Sequence, residues 1–95
     1  MVERKLVAMA WWRREEWAEV RALFADPERF SPNYDVWLAR AEQQLMQLKM
    51  RGQPVRRVEV GLDAVRAWCA RHGRNINADE RAGLAAAIAS GQLDG

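Results

Sequence analysis

The segment Val55-Arg-Arg-Val-Glu-Val60 constrains the fold of this chain more than any other. Val58 and Val60 alternate with Arg57 and Glu59, the period of a strand with one buried face and one wet face. A lone strand leaves its backbone donors and acceptors unsatisfied and is not stable in water, so this one requires a partner. Leu6 to Trp12 is the only other stretch able to supply it. As a strand that stretch is apolar on both faces, with Leu6, Ala8, Ala10 and Trp12 on one and Val7, Met9 and Trp11 on the other. Such a strand is covered on both sides or lies at an interface. The competing reading is helical, because Val2, Leu6, Met9, Trp17, Val20 and Phe24 nearly keep helical spacing. Arg13 falls where that stripe needs an apolar residue, and the strand reading is preferred.

Between the two strands lies the best-specified helix, within Ser31 to Gly52. Asn33 or Ser31 caps its start and Asp35 suits the positive end of its dipole. Tyr34, Leu38, Ala41, Leu45 and Leu48 form one stripe at alternating spacings of four and three, with Trp37 beside it. Lys49 and Arg51 suit the far end, and Gly52 supplies a left-handed cap. A shorter helix is expected over Glu15 to Ala25, with Trp17, Val20, Leu23 and Phe24 on one face. Asp26-Pro27 ends it and opens one further turn that carries Phe30 to the core.

After the second strand, Asp63 reads as the cap of a helix running to His72. Val65, Trp68 and Cys69 face inward, and Gly73 closes it. Asn77 to Glu80 has capping-box spacing, with Leu84, Ala85 and Ile88 inward on the helix that follows. Leu93 to Gly95 reads as a frayed tail. The expectation is one α+β domain over residues 1–95: a small two-stranded sheet packed by four helices in the order β-α-α-β-α-α. The alternative is all-α.

Several residues carry a resemblance. Asn33-Tyr34-Asp35-Val36-Trp37-Leu38, Ala41-Glu42, Gly52, Val58-Glu59-Val60, Trp68-Cys69 and Arg81 resemble a group of small, uncharacterised bacterial proteins. Those share a Tyr-Asp/Glu-x-Trp-Leu helix and a later Trp-Cys helix. The resemblance implies an N-terminal strand and supplies no activity.

For chemistry the inventory is thin. The single Cys, Cys69, excludes an internal disulfide. It lies three residues from the single His, His72, on one helix face. A thiolate–imidazolium pair would need an orienting third group, which nothing in the sequence indicates. One Cys and one His do not fill a structural zinc site. Glu15, Glu16 and Glu19 are interleaved with Arg13, Arg14 and Arg21, the pattern of a solvated, ion-paired surface. No phosphate-binding Gly loop occurs, and no catalytic residue, cofactor or metal is expected.

Neither a membrane anchor nor a secretory leader is expected. The apolar run after Arg4-Lys5 is short and ends in Arg13-Arg14-Glu15-Glu16 without a small-residue cleavage site. No apolar stretch is long enough to span a bilayer. A cytoplasmic location is expected.

Two functional readings follow. Five Trp in 95 residues make a heavily aromatic chain, and the two at positions 11 and 12 border an open sheet edge. The first reading is a non-enzymatic interaction module that self-associates as a homodimer through that edge, with Val7, Met9, Trp11 and Trp12 as candidate interface. The second is nucleic-acid binding. The net charge is only +2, but residues up to Leu48 carry seven basic and eight acidic side chains, and those from Lys49 carry eight and five. Arg56, Arg57, Arg71 and Arg74 are the candidate phosphate contacts. Against it, neighbouring strand residues face opposite ways, and the last helix offers few side chains that read bases.

Overall fold

The computed structural model describes residues 5–92; the expected tail at Leu93–Gly95 and the candidate helical position Val2 lie outside them. Strand β1 (Val7–Trp11) pairs with β2 (Val55–Glu59) in parallel, Val7 opposite Val55 and Trp11 opposite Glu59. The chain reads β1, α1 (Trp17–Ala22), α2 (Tyr34–Met50), β2, α3 (Leu62–His72) and α4 (Ala78–Ala89), with single 3-10 turns before and after α1. This is the α+β order that the need for a strand partner implies.

Parallel strands cannot be joined by a tight turn, and α2 lies in the return path. Its 17 residues span about 25 Å at 1.5 Å per residue, enough to run back past both strands. Asn33 caps it by accepting from the Asp35 amide at 2.9 Å, and Gly52 takes a positive φ of 75° just beyond its end. Trp37 and Ala41 are buried, and Tyr34, Leu38, Leu45 and Leu48 are half-buried, the stripe expected from their spacing.

Alternation along β1 divides the helices between the two sides of the sheet. Trp11 points toward α2 and meets Trp37 edge-on, ring centroids 5.4 Å apart. On the other side α4 packs over both strands. There Ala8 and Ala10 stand beside the inward Val58, and small side chains let the helix approach closely.

The helix expected over Glu15 to Ala25 is shorter than its pattern. It stops at Ala22 because the chain turns to bond with the α3–α4 loop. Ile76 N–H donates to Leu23 O at 3.0 Å, and Ala25 N–H donates to Ile76 O at 2.8 Å. Phe24 and Ile76 are thereby fully buried. Asp63 is not the cap of α3. It lies inside the first turn, Gly61 holds the cap position, and the Glu16 carboxylate accepts from Leu62 N–H at 2.9 Å. The capping box of α4 forms as expected: Asn77 Oδ1 accepts from Glu80 N–H, and Glu80 Oε1 accepts from Asn77 N–H.

Candidate functional site

In a two-stranded sheet each strand keeps one edge without a neighbour, and the two edges here are treated differently. Val7 N–H donates to Pro54 O at 2.9 Å, and Trp11 O accepts from Val60 N–H at 3.1 Å. The backbone groups of odd-numbered β1 residues therefore face β2. Ala8 and Ala10 turn both N–H and C=O to the open side, since successive strand residues alternate. Among the described residues no loop or side chain bonds to those four groups. On β2 the residues whose backbone faces away from β1 are Val55, Arg57 and Glu59. Charged side chains of this kind discourage edge-to-edge pairing. β1, by contrast, carries no charge at all.

The open edge of β1 forms the floor of a groove of about 490 Å³. One wall comes from α2, through Trp37, Arg40, Ala41, Gln44 and Leu48. The other comes from α4, through Ala78, Arg81 and Ala82, and Arg29, Phe30 and Ser31 close the end beside Trp12. None of the lining residues is acidic. Three are arginines, and they differ in state. Arg81 is buried and spent internally: it meets Asp26 with both guanidinium nitrogens at 2.7 and 3.2 Å, donates to Ile76 O at 3.1 Å, and covers the Phe24 ring at 4.2 Å. The Arg81 hydrogen bond holds the Asp26 carboxyl below the usual carboxylate range, against the opposing effect of burial. The field of Arg29 also reaches Asp26. Yet neither Arg29 nor Arg40 forms an ion pair among the described residues, and both are exposed.

Of the four residues expected at an interface, Val7, Met9 and Trp12 line this groove, Val7 at 38% exposure. Trp12 does not belong to a free surface. It is 4% exposed, packs on Phe24 at 5.3 Å, and its carbonyl accepts from the Tyr34 hydroxyl at 2.6 Å. Burial of that hydroxyl pushes the Tyr34 phenol up. Trp12 continues the even-numbered face past the end of β1, which turns it into the core. Trp11 is half-buried on the odd-numbered face, with Arg57 over its ring at 5.2 Å. The hollow beside it is lined by Arg13, Glu15, Tyr34, Arg57 and Glu59, and Arg13 is already paired with Glu59 at 2.6 Å.

The four arginines expected to contact phosphate fall into two pairs. Arg56 and Arg57 are consecutive on β2 and face opposite sides of the sheet, and Arg71 and Arg74 lie at the end of α3 and just beyond it. No hydrogen bond or ring contact among the described residues joins one pair to the other. Arg74 is held by the Glu80 carboxylate and lies over Trp68 at 5.1 Å. Cys69 and His72 are turned to different partners: Cys69 Sγ lies 3.9 Å from Leu23 O, whereas His72 stacks on Trp68 at 3.8 Å with Nδ1 2.9 Å from Trp68 O. Among the described residues no three His, Cys, Asp or Glu side chains gather as metal ligands, and no helix is long and apolar enough to cross a membrane.

The sequence reading missed the groove's arginines. For Arg81 a signal exists: it shares the stripe of Leu84, Ala85 and Ile88, where a charge needs a buried partner. Arg29 and Arg40 carry no local signal, since only the packing of α2 beside β1 brings them to one groove. Comparison with protein-family models, curated proteins and solved structures finds no match for the chain.

Proposed function

We propose that this domain is a non-enzymatic protein-interaction module that works by strand addition at the open edge of β1. The observation carrying this reading is the contrast between the edges. The outer edge of β2 is defended by charge, whereas on β1 no described residue bonds the four outward backbone groups of Ala8 and Ala10, which lie on the floor of the groove. An added strand satisfies all four groups and extends the sheet, and pockets for alternate side chains supply selectivity. A groove of this size is within the range of specific binding sites. Self-association of two copies, the occupant suggested by the apolar sequence of β1, is one form of the same chemistry.

The test is Ala10→Pro. It deletes the outward N–H of Ala10 and leaves the donors to β2 untouched, because proline is accepted on an edge strand where its missing N–H faces outward. Linear peptides selected from an unbiased display library are expected to shift the Ala8 and Ala10 amide resonances of the wild-type domain and to bind the folded Ala10→Pro variant about fivefold more weakly, the one lost backbone hydrogen bond being worth about 1 kcal/mol. Sedimentation over a range of concentrations reports a second copy in the same role. Selected peptides that bind Ala10→Pro undiminished, or whose shifts map elsewhere, reject strand addition.

A further inference from the structure

Resting on the strand-addition reading, we infer that the natural occupant of the groove is an extended, acidic segment of another protein, with bulky apolar residues at alternate positions. Two independent features of the walls lead there. The first is charge. Among the described residues Arg13, Arg14, Arg66, Arg74 and Arg81 each hold a carboxylate, whereas Arg29 and Arg40 hold none. Arg21, Arg56, Arg57 and Arg71 are likewise without an ion pair, but of these six only Arg29 and Arg40 line the groove, where no described lining residue is acidic. A carboxylate on the added strand meets both electrostatic and hydrogen-bonding demand there. A second copy does not. Symmetric pairing of β1 with β1 sets two such grooves face to face, and no described lining residue of either offers an acid to the other's Arg29 and Arg40.

The second feature is shape. Ala78 and Ala82, both exposed, form the α4 wall with two of the smallest side chains, leaving room beside that wall for large ones from the ligand. Side chains of an added strand alternate between the two walls, so every second residue faces this alanine surface and is expected to be large and apolar. The residues between face α2, where Arg40 and Gln44 stand among Trp37, Ala41 and Leu48. Carboxylates belong at those positions. The pattern is therefore an alternation of apolar and acidic residues over the length of β1.

Three synthetic octapeptides test this, alternating Leu with Glu, with Gln or with Lys. They are titrated into the full chain with calorimetry and with the Ala8 and Ala10 amide resonances as readouts. The Glu peptide is expected to bind about tenfold tighter than the Gln peptide, the Lys peptide weakest, with the preference shrinking as salt rises. The double variant Arg29→Gln/Arg40→Gln, whose changes are both on exposed side chains, is expected to fold normally and lose the preference for Glu. Equal affinity for the Glu and Gln peptides, both weakened in Ala10→Pro, overturns the acidic partner and leaves strand addition standing. A concentration-dependent dimer that Ala10→Pro abolishes, with no peptide bound, assigns the groove to a second copy and likewise overturns it. No shift at Ala8 or Ala10 with any peptide, and no dimer, overturns both.

Discussion

Arg81 carries a full charge at a position where the stripe of α4 calls for an apolar residue, and its side chain is only 8% exposed. Asp26, the carbonyl of Ile76 and the faces of Phe24 and Phe30 make that tolerable. Removing one partner of a buried pair is much worse than removing both. Asp26→Ala is therefore expected to cost about 3 kcal/mol, while Arg81→Met with Asp26→Leu stays within about 1 kcal/mol of the wild type. Urea denaturation midpoints measure both. Glu80 gives a pH-dependent counterpart at the surface. The Arg74 guanidinium is the chief cause of its carboxyl falling to about 2, assisted by the Asn77 amide. A folded-state value below the unfolded one contributes stability that is full above the unfolded pKa and lost as pH falls through the folded one. Glu80→Gln is thus expected to be less stable than the wild type at neutral pH. That difference should shrink between about pH 4.5 and about pH 2, as urea midpoints across that range will show.

At the scale of elements, most of the fold was legible because local patterns and one global requirement agree. The alternation at Val58 and Val60 demanded a partner strand, and Leu6 to Trp12 was the only candidate; the stripe of α2 and the Asn77–Glu80 box needed nothing beyond spacing. The errors occur where a distant residue replaces a local one. The pattern at Trp17 to Phe24 continues as a helix, but pairing with Ile76 ends it early. Asp63 has the right chemistry for a cap, yet Glu16, 46 positions before Leu62, takes the task. The groove was illegible for the same reason. The sequence marked β1 as apolar on both faces, but Arg29 and Arg40 become neighbours of that edge only after α2 packs. These assignments separate experimentally. Glu16→Ala is expected to cost about 1 kcal/mol, the usual cost of losing a helix cap. Asp63→Ala should cost no more than about 0.5 kcal/mol, the scale of a dipole contribution alone. Thermal denaturation of the two variants side by side decides which residue caps α3.

For the whole molecule, a two-stranded sheet is too small to organise a domain, and the aromatic cluster takes over that role. Trp17 is its hub. It is 2% exposed, and its ring lies 5.4 Å from Trp37, 6.0 Å from Phe24, 6.1 Å from Tyr34 and 6.3 Å from Phe30. Its indole N–H donates to Ser31 O at 3.1 Å, which fixes the link between the last turn before α2 and the helix itself. Trp37, Phe30 and Ser31 all line the groove, so the same side chain supports the fold and sets the position of one wall. Truncation to Trp17→Ala is expected to cost about 3–5 kcal/mol, a large part of the stability of a domain this size. Trp17→Phe keeps most of the ring contacts and loses the hydrogen bond to Ser31. It is expected to remain folded at a cost of about 1–2 kcal/mol. Because the freed segment carries Arg29 and Phe30, peptide binding in Trp17→Phe should weaken at the end of the groove beside Trp12, while the Ala8 amide at the other end still shifts on titration. Uniform loss of shifts at both ends would mean that the walls move as one body. Loss confined to Ala10 would mean that Trp17 positions this end alone.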